Sequence, residues 1–374
     1  MKRDRKKLFR NLFVFVCIIL VTFYIIFKDQ DITQFRDILL NIDLKFIFIS
    51  VICMMLYFVC DAINIKRMIK RLGENCNLYN AIRYSLIGFF FSSVTPAASG
   101  GQPMQIYYMK KNKISVANST LTLLINLSCM QVVTISLALV SLLFNFDNMN
   151  GVLSSCFILG IALNLTALVL LIVSIFSKRV SNGLVRFSIK IFKFFRVKNI
   201  EEKKERIEKE LQKYHESATK IKDCKGAIAK NLLTTYVQFI LYYSITYWVY
   251  CGFGLSQYNI LQIISLQAIL FATVSGIPSP GAVGVSEGGF LELFRNVYSK
   301  ETISSAMLLN RGVNFYLFVI ISSIVVLVYG IKDDLDIRNG NVKDIEDSDN
   351  NISKNVENEN IEEYVKDDSN GGIE

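Results

Sequence analysis

The chain has 374 residues, 52% of them hydrophobic, with a mean hydropathy of +0.38 and a formal net charge of +9. A composition this apolar, gathered into runs of near membrane-spanning length, excludes an ordinary soluble domain and points to an integral membrane protein. The charge is unevenly placed, with 15 Lys or Arg against 7 Asp or Glu over Ser177–Gly226 and 5 against 14 over Ile331–Glu374, so it reads as membrane topology and not as a nucleic-acid surface.

Lys2–Arg10 is basic and precedes the apolar run Asn11–Phe27. That run lacks a small-x-small cleavage site and reads as a retained first span with the N-terminus in the cytoplasm. A second span, Phe46–Ile63, returns to the basic Lys66–Arg71 loop. Ala81–Met109 would reach about 43 Å as one helix, too little for two crossings of a roughly 30 Å core, so a re-entrant hairpin is expected there. Asn118–Phe144 and Val152–Phe176 are two further spans.

The basic segment that follows places Leu184, Phe187, Ile191 and Phe194 on one helical face and Arg186, Lys190, Lys193 and Arg196 on another, which suits an anionic membrane surface. Within Glu201–Cys224, a narrow stripe of Ile207, Leu211, Tyr214, Ala218 and Ile221 suits docking on a partner helix. A protein partner through residues 184–224 is one reading and a solvated connector the other. A span over Ala227–Cys251 leads to a second broken element, Asn259–Asn296, and a last span, Ser304–Tyr329, to an acidic tail expected to be disordered in the cytoplasm. The expected fold is all-α and polytopic, about six full spans plus two Pro/Gly-broken re-entrant hairpins in an inverted-repeat-like arrangement, with residues 1–330 as the membrane domain.

The four prolines of the chain all fall in the two breaks, Pro96 and Pro103 in the first, Pro278 and Pro280 in the second. The first carries Gly100, Gly101 and Gln102 beside its prolines, and the second Gly281 and Gly284. Broken backbone is tolerated in a membrane only where protein buries it or it lines a watery cavity, and paired breaks in corresponding halves point to a transporter-like site. The alternative is a pair of packing kinks. Each break precedes a new helix start, where amides and the helix dipole attract anions.

Glu287 follows the second break, and Arg311 lies early in the last apolar run. An ionisable residue inside a membrane is a functional-site hypothesis by default, and the two are expected to face a shared polar cavity in which Arg311 engages a lipid phosphate. Asp61 and Arg83 lie near the ends of their segments and could line the way in. Eight cysteines without Cys-x-x-Cys spacing and a single histidine, His215, offer no metal site, no catalytic triad and no call for a cofactor.

The stretch Pro96, Gly100, Gly101, Pro103, the stretch Pro278, Pro280, Gly281, Gly284, Glu287, and Arg311 together resemble the lysylphosphatidylglycerol synthase/flippase transmembrane family, the membrane portion of bacterial multiple-peptide-resistance proteins. The resemblance covers about residues 8–330. One departure is Ala282, where many relatives have a second glycine. The two-domain relatives also carry a soluble domain that transfers an aminoacyl group from tRNA to phosphatidylglycerol, and here only the acidic tail follows the last span.

The resemblance therefore implies the lipid-translocating half, acting in a bacterial plasma membrane on an anionic or aminoacylated phospholipid or another lipid-linked headgroup. A lipid aminoacyltransferase and a non-transporting membrane partner of envelope enzymes are the alternatives. A homo-oligomer is compatible with the sequence, and no ATP-binding motif is present.

Overall fold

The structure is a computed structural model that describes residues 42–95, 98–145, 151–177, 200–221, 224–277, 282 and 284–338. The expected first span, the 184–196 amphipathic helix and the acidic tail lie outside these residues. Packing divides the chain into two units, Ile18–Val325 and a smaller one of 1–17 with 326–374. The account below concerns the first; the described part of the second is a continuous helix to Arg338.

The chain is an all-α polytopic membrane protein. Its helices are α1 Leu44–Arg71, α2 Leu78–Val94, α3 Gly101–Lys111, α4 Val116–Asn145, α5 Gly151–Phe176, α6 Ile200–Ile221, α7 Lys225–Gly252, α8 Ile260–Val274, α9 Val285–Leu293, α10 Ile303–Arg311 and α11 Leu317–Arg338. A π turn, Gly312–Tyr316, joins the last two. Four stretches among the described residues are long and apolar enough to cross a membrane: Leu44–Arg71, Val116–Leu143, Ser154–Phe176 and Ile303–Gly330. Their apolar side chains are not all buried. Ile158, Leu159, Leu165 and Leu170 of α5 stand more than half exposed, a surface that suits lipid and would aggregate in water.

Each half has the same order, a long helix, a broken pair, then a long helix: α1, α2 with α3, and α4; then α7, α8 with α9, and α10 with α11. At about 1.5 Å per residue, the 17, 11, 15 and 9 residues of the broken arms are each too short for a roughly 30 Å crossing. The broken elements are thus helix pairs and not extra spans. α1 runs eight residues past the expected end of its span, from Ile63 to Arg71. Its apolar stripe continues through Ile65, Met68 and Ile69, all fully buried, so its basic end is still packed helix.

α4 touches α1, α3, α5, α6, α7 and α8, and the other elements assemble around it. α1 and α7 lie along each other. Their shared face is polar: Asn64 Nδ2 donates to Thr235 Oγ1 at 3.0 Å, and Arg67 donates to Asn231 Oδ1 at 2.6 Å and to Thr234 Oγ1 at 3.2 Å. Asn231 in turn donates to Asn126 of α4 at 3.0 Å. α7 buries Asn231, Thr235, Gln238, Ser244 and Thr246, which is why it is absent from the four apolar stretches although it is 28 residues long.

α6 is held at one end of the bundle. Tyr214, Ala218 and Ile221 from the expected stripe are buried against Met68, Leu121, Ile125 and Ile175, so this part of the stripe is used within the chain. The first amides of α4 lack intrahelical partners, and carboxylates from other elements supply them. Glu74 Oε2 accepts Ser115 N–H at 3.0 Å, and Glu210 Oε2 of α6 accepts Ala117 N–H at 2.9 Å. Glu74 Oε1 also receives Ser115 Oγ at 2.6 Å, Asn118 Nδ2 at 2.7 Å and Lys213 Nζ at 3.1 Å.

Burial pushes the Glu74 carboxyl up, but the hydrogen bonds from Ser115, Lys213 and Asn118 together outweigh it and hold the group below the usual carboxylate range. A depressed folded pKa means stability that is present above the unfolded value, about 4.3, and lost as pH falls through the folded one. Hydrogen-exchange protection of the α6 amides, taken relative to the intrinsic rate at each pH, is therefore expected to hold at neutral pH and to fall below about pH 4.3. In Glu74→Gln this pH response should flatten; an unchanged response would show that Glu74 does not hold the helix.

Candidate functional site

Both breaks open on one cavity of about 450 Å³. Ser92, Ser93, Ala98 and Gln102 reach it from the first break, and Ser275, Gly276, Ala282 and Ser286 from the second. Tyr57 and Asp61 of α1, Tyr242 of α7, and Asn310, Arg311, Asn314 and Phe315 of α10 and its π turn also line it. Ser85, Gln105, Asn126 and Gln267 add further polar groups, and Phe58, Phe89, Leu123, Leu127 and Phe271 are among the apolar part of the wall.

The described residues beside each break pair some of its backbone groups by a specific device. At the first, the Thr95 hydroxyl donates back to Phe91 O at 2.6 Å and accepts Gly100 N–H at 2.9 Å, serving both sides of the gap. α3 then starts hard against α2: a Cβ on Gly101 would strike Ser92 Oγ and lie 2.8 Å from Gly88 O. Gln105 Nε2 ties the pair by donating to Tyr84 O at 3.0 Å.

At the second break, Asn164 reaches across from α5. Its Nδ2 lies 3.1 Å from Ala272 O, a carbonyl left over at the end of α8, and 3.1 Å from Ser275 Oγ, while Ser275 Oγ donates to Asn164 Oδ1 at 3.2 Å. Gly160 permits that approach, since a Cβ there would lie 2.5 Å from Ala272 O and 2.7 Å from Thr273 Cα.

α9 begins at Gly284, whose φ of +84° is a left-handed value that favours glycine. Its N–H donates to Glu287 Oε2 at 2.6 Å. The helix start expected to attract an anion thus already holds a carboxylate of its own. Ala282 is left-handed too, at φ +53°, a backbone conformation that glycine would adopt with less strain.

Glu287 Oε1 accepts Arg311 Nε at 3.0 Å with both side chains buried, and the Tyr316 hydroxyl lies 3.5 Å from the same oxygen. The guanidinium carbon sits 4.4 Å from the Phe315 ring centroid, within cation–π range. The π turn explains this clustering. Leu317 N–H bonds to Gly312 O, five residues back, and the widened turn brings Asn310, Arg311, Asn314 and Phe315 to one wall. Arg311 lines the cavity, whereas Glu287 stands behind it and does not.

The sequence-derived residues divide accordingly. Gln102, Asp61 and Arg311 line the cavity, Gly100 and Gly101 shape its first break, and Gly284 and Glu287 its second. Pro103 is an exposed residue in the first turn of α3. Pro96, Pro278, Pro280 and Gly281 lie outside the described residues. Arg83 bonds Asn80 Oδ1 at 2.9 Å and stacks on Tyr79, and it is not among the residues lining the cavity.

Sequence reasoning missed Tyr57, Tyr242, Asn164 and Gly160. An asparagine inside the apolar run 152–176 was the available signal for Asn164. Among the described residues no group of three or more His, Cys, Asp or Glu could hold a metal ion.

Two broken helix pairs meet at one cavity, which Arg311 lines while its ion-pair partner Glu287 stands behind, within a polytopic membrane protein. The chain belongs to the family described as the lysylphosphatidylglycerol synthase TM region, whose model matches residues 11–322. Membership gives it a membrane lipid-related role in general terms. No curated protein and no solved structure matches it.

Proposed function

We propose that this protein moves a phosphate-bearing lipid, an anionic or aminoacylated phospholipid or another lipid-linked headgroup, between the leaflets of a bacterial plasma membrane. The observation that carries this reading is the convergence of both broken elements and Arg311 on one cavity. Its volume falls in the range of ligand sites, about 300–1,000 Å³, and suits a headgroup while the acyl chains stay in lipid. Arg311 engages the phosphate, and the two broken elements rock about the cavity to expose it to one leaflet and then the other. On the charge pattern of the loops, both termini face the cytoplasm.

The test is leaflet exchange of fluorescent phosphatidylglycerol and lysyl-phosphatidylglycerol in liposomes holding the purified protein, beside an Arg311→Lys variant. The parent is expected to exchange at least one of the lipids. The lysine variant keeps a charge but loses the planar fork, and should be at least tenfold slower. Folded parent protein that exchanges neither lipid would remove these two phospholipids as cargo and narrow the reading to other lipid-linked headgroups.

A further inference from the structure

Asp61 lines the cavity ten residues before the Arg71 end of α1, about 15 Å along the helix. The Ser85 hydroxyl donates to its Oδ2 at 2.5 Å, and among the described residues its Oδ1 accepts no hydrogen bond and no base pairs with it. The titratable groups around it are Tyr57 and Cys60 on α1, Tyr242 on α7 and Arg311 at the end of α10, and Arg311 is engaged by Glu287. α2, α3, α4 and α8 bring no acid or base to the cavity.

A charged carboxylate without a positive partner is costly at such a depth, and the group takes a proton instead. A hydroxyl donating to the carboxyl favours the ion, so the proton can leave as well as arrive.

Asp61 and Ser85 sit on elements with different freedom. α1 is fastened along α7 through Asn64 and Arg67, whereas Ser85 belongs to α2, one arm of the first broken pair. The other arm is tied to α2 beside Ser85, where Gln105 Nε2 donates to Tyr84 O. A displacement of this pair takes Ser85 from Asp61 and changes what the carboxyl faces. By the same linkage, the proton on Asp61 biases where the pair rests. The second break differs, because its carboxylate, Glu287, already holds Gly284 N–H and Arg311.

We propose that Asp61 is a proton-binding site that couples movement of the first broken pair, and with it transport through the cavity, to a proton. The step is an exchange with water. The O–H bond of the acid breaks and a water accepts the proton where the cavity opens to one side, and the carboxylate takes a proton from water on the other. This rests on reading the cavity as a transport site and adds a driving force to that reading.

The test uses the purified full chain as parent, Asp61→Asn, Asp61→Glu and Ser85→Ala. Asp61→Asn imitates the neutral acid, keeps an acceptor for Ser85 and should fold as the parent does. Infrared difference spectra over a pH series read the carbonyl band of a protonated acid. The parent should lose such a band as pH rises, Asp61→Glu should keep that loss, Asp61→Asn should lack it, and Ser85→Ala should move its midpoint to higher pH. In liposomes held at zero membrane potential, a gradient of one pH unit should displace the leaflet ratio of fluorescent phosphatidylglycerol, corrected for protein-free liposomes, by up to about tenfold for one proton per lipid. In Asp61→Asn the gradient should have no effect. Absence of an Asp61-dependent band, or lipid exchange that ignores the gradient, would overturn the proposal. If neither phosphatidylglycerol nor lysyl-phosphatidylglycerol moves, those lipids are removed as cargo and the coupling is read from hydrogen-exchange protection of α2 and α3, relative to intrinsic rates. That protection should change at the midpoint of the band in the parent and not in Asp61→Asn; a change independent of Asp61, or none, overturns the coupling.

Discussion

Arg311→Gln alone is expected to destabilise the protein by about 3–5 kcal/mol, because it strands the Glu287 carboxylate in a buried site with no counter-charge. Glu287 is positioned by the start of its own helix, where Oε2 accepts Gly284 N–H, so it cannot swing out to water without uncapping α9. Glu287→Gln instead takes the carboxylate from the buried guanidinium while its amide oxygen can still accept Gly284 N–H, and a loss of similar size is expected. The double variant removes both charges. It should therefore be less damaged than the two losses added together, by about 1–3 kcal/mol, since residues in direct contact couple on that scale. Thermal unfolding of the four proteins in one detergent completes the cycle. Strictly additive losses would mean that the 3.0 Å contact contributes no coupling.

Gly160→Ala has the second large effect. The added methyl carbon would sit 2.5 Å from Ala272 O and 2.7 Å from Thr273 Cα, and both are backbone atoms that no rotamer change can move. α5 must shift away from α8, at a cost of about 1–3 kcal/mol. That shift also pulls Asn164 away from the end of α8. Asn164→Leu should cost about as much by leaving Ala272 O and Ser275 without their partner. Gly226→Ala is the control, because a Cβ there meets nothing within 4 Å, and its melting temperature should stay at or slightly above the parent's. If Gly160→Ala melts with this control, the close approach of the two helices is not what holds the second break.

The helices were legible because lipid imposes a simple demand, about 20 apolar residues for each crossing, and the runs at 118–144, 152–176 and 304–329 meet it openly. The breaks were legible for the opposite reason. Proline and glycine are conspicuous in such runs, and the broken elements fall within a few residues of their expected bounds.

What was hidden depends on tertiary approach. Glu287 and Arg311 stood out separately as charges among apolar neighbours, but their contact spans 24 residues and a π turn that no local pattern announces. Gly160 and Asn164 act only because α8 happens to end beside them. Asp61 was read as near the end of its segment because the apolar run stops at Ile63. The helix continues to Arg71 as packed structure, which sets Asp61 ten residues back from its end and in the cavity wall.

The polar face of α7 bears on how the protein is built during synthesis. Asn231 and Thr235 find partners on α4 and α1, made more than 100 residues earlier, while Thr246 bonds Gln267 and Asn310, made later. A helix carrying so many polar groups is a poor candidate for release into lipid by itself, whereas one arriving beside an assembled first half meets waiting acceptors and donors. Insertion of α7 is therefore expected to draw on polar groups of the first half already in place, Asn64, Arg67 and Asn126 above all.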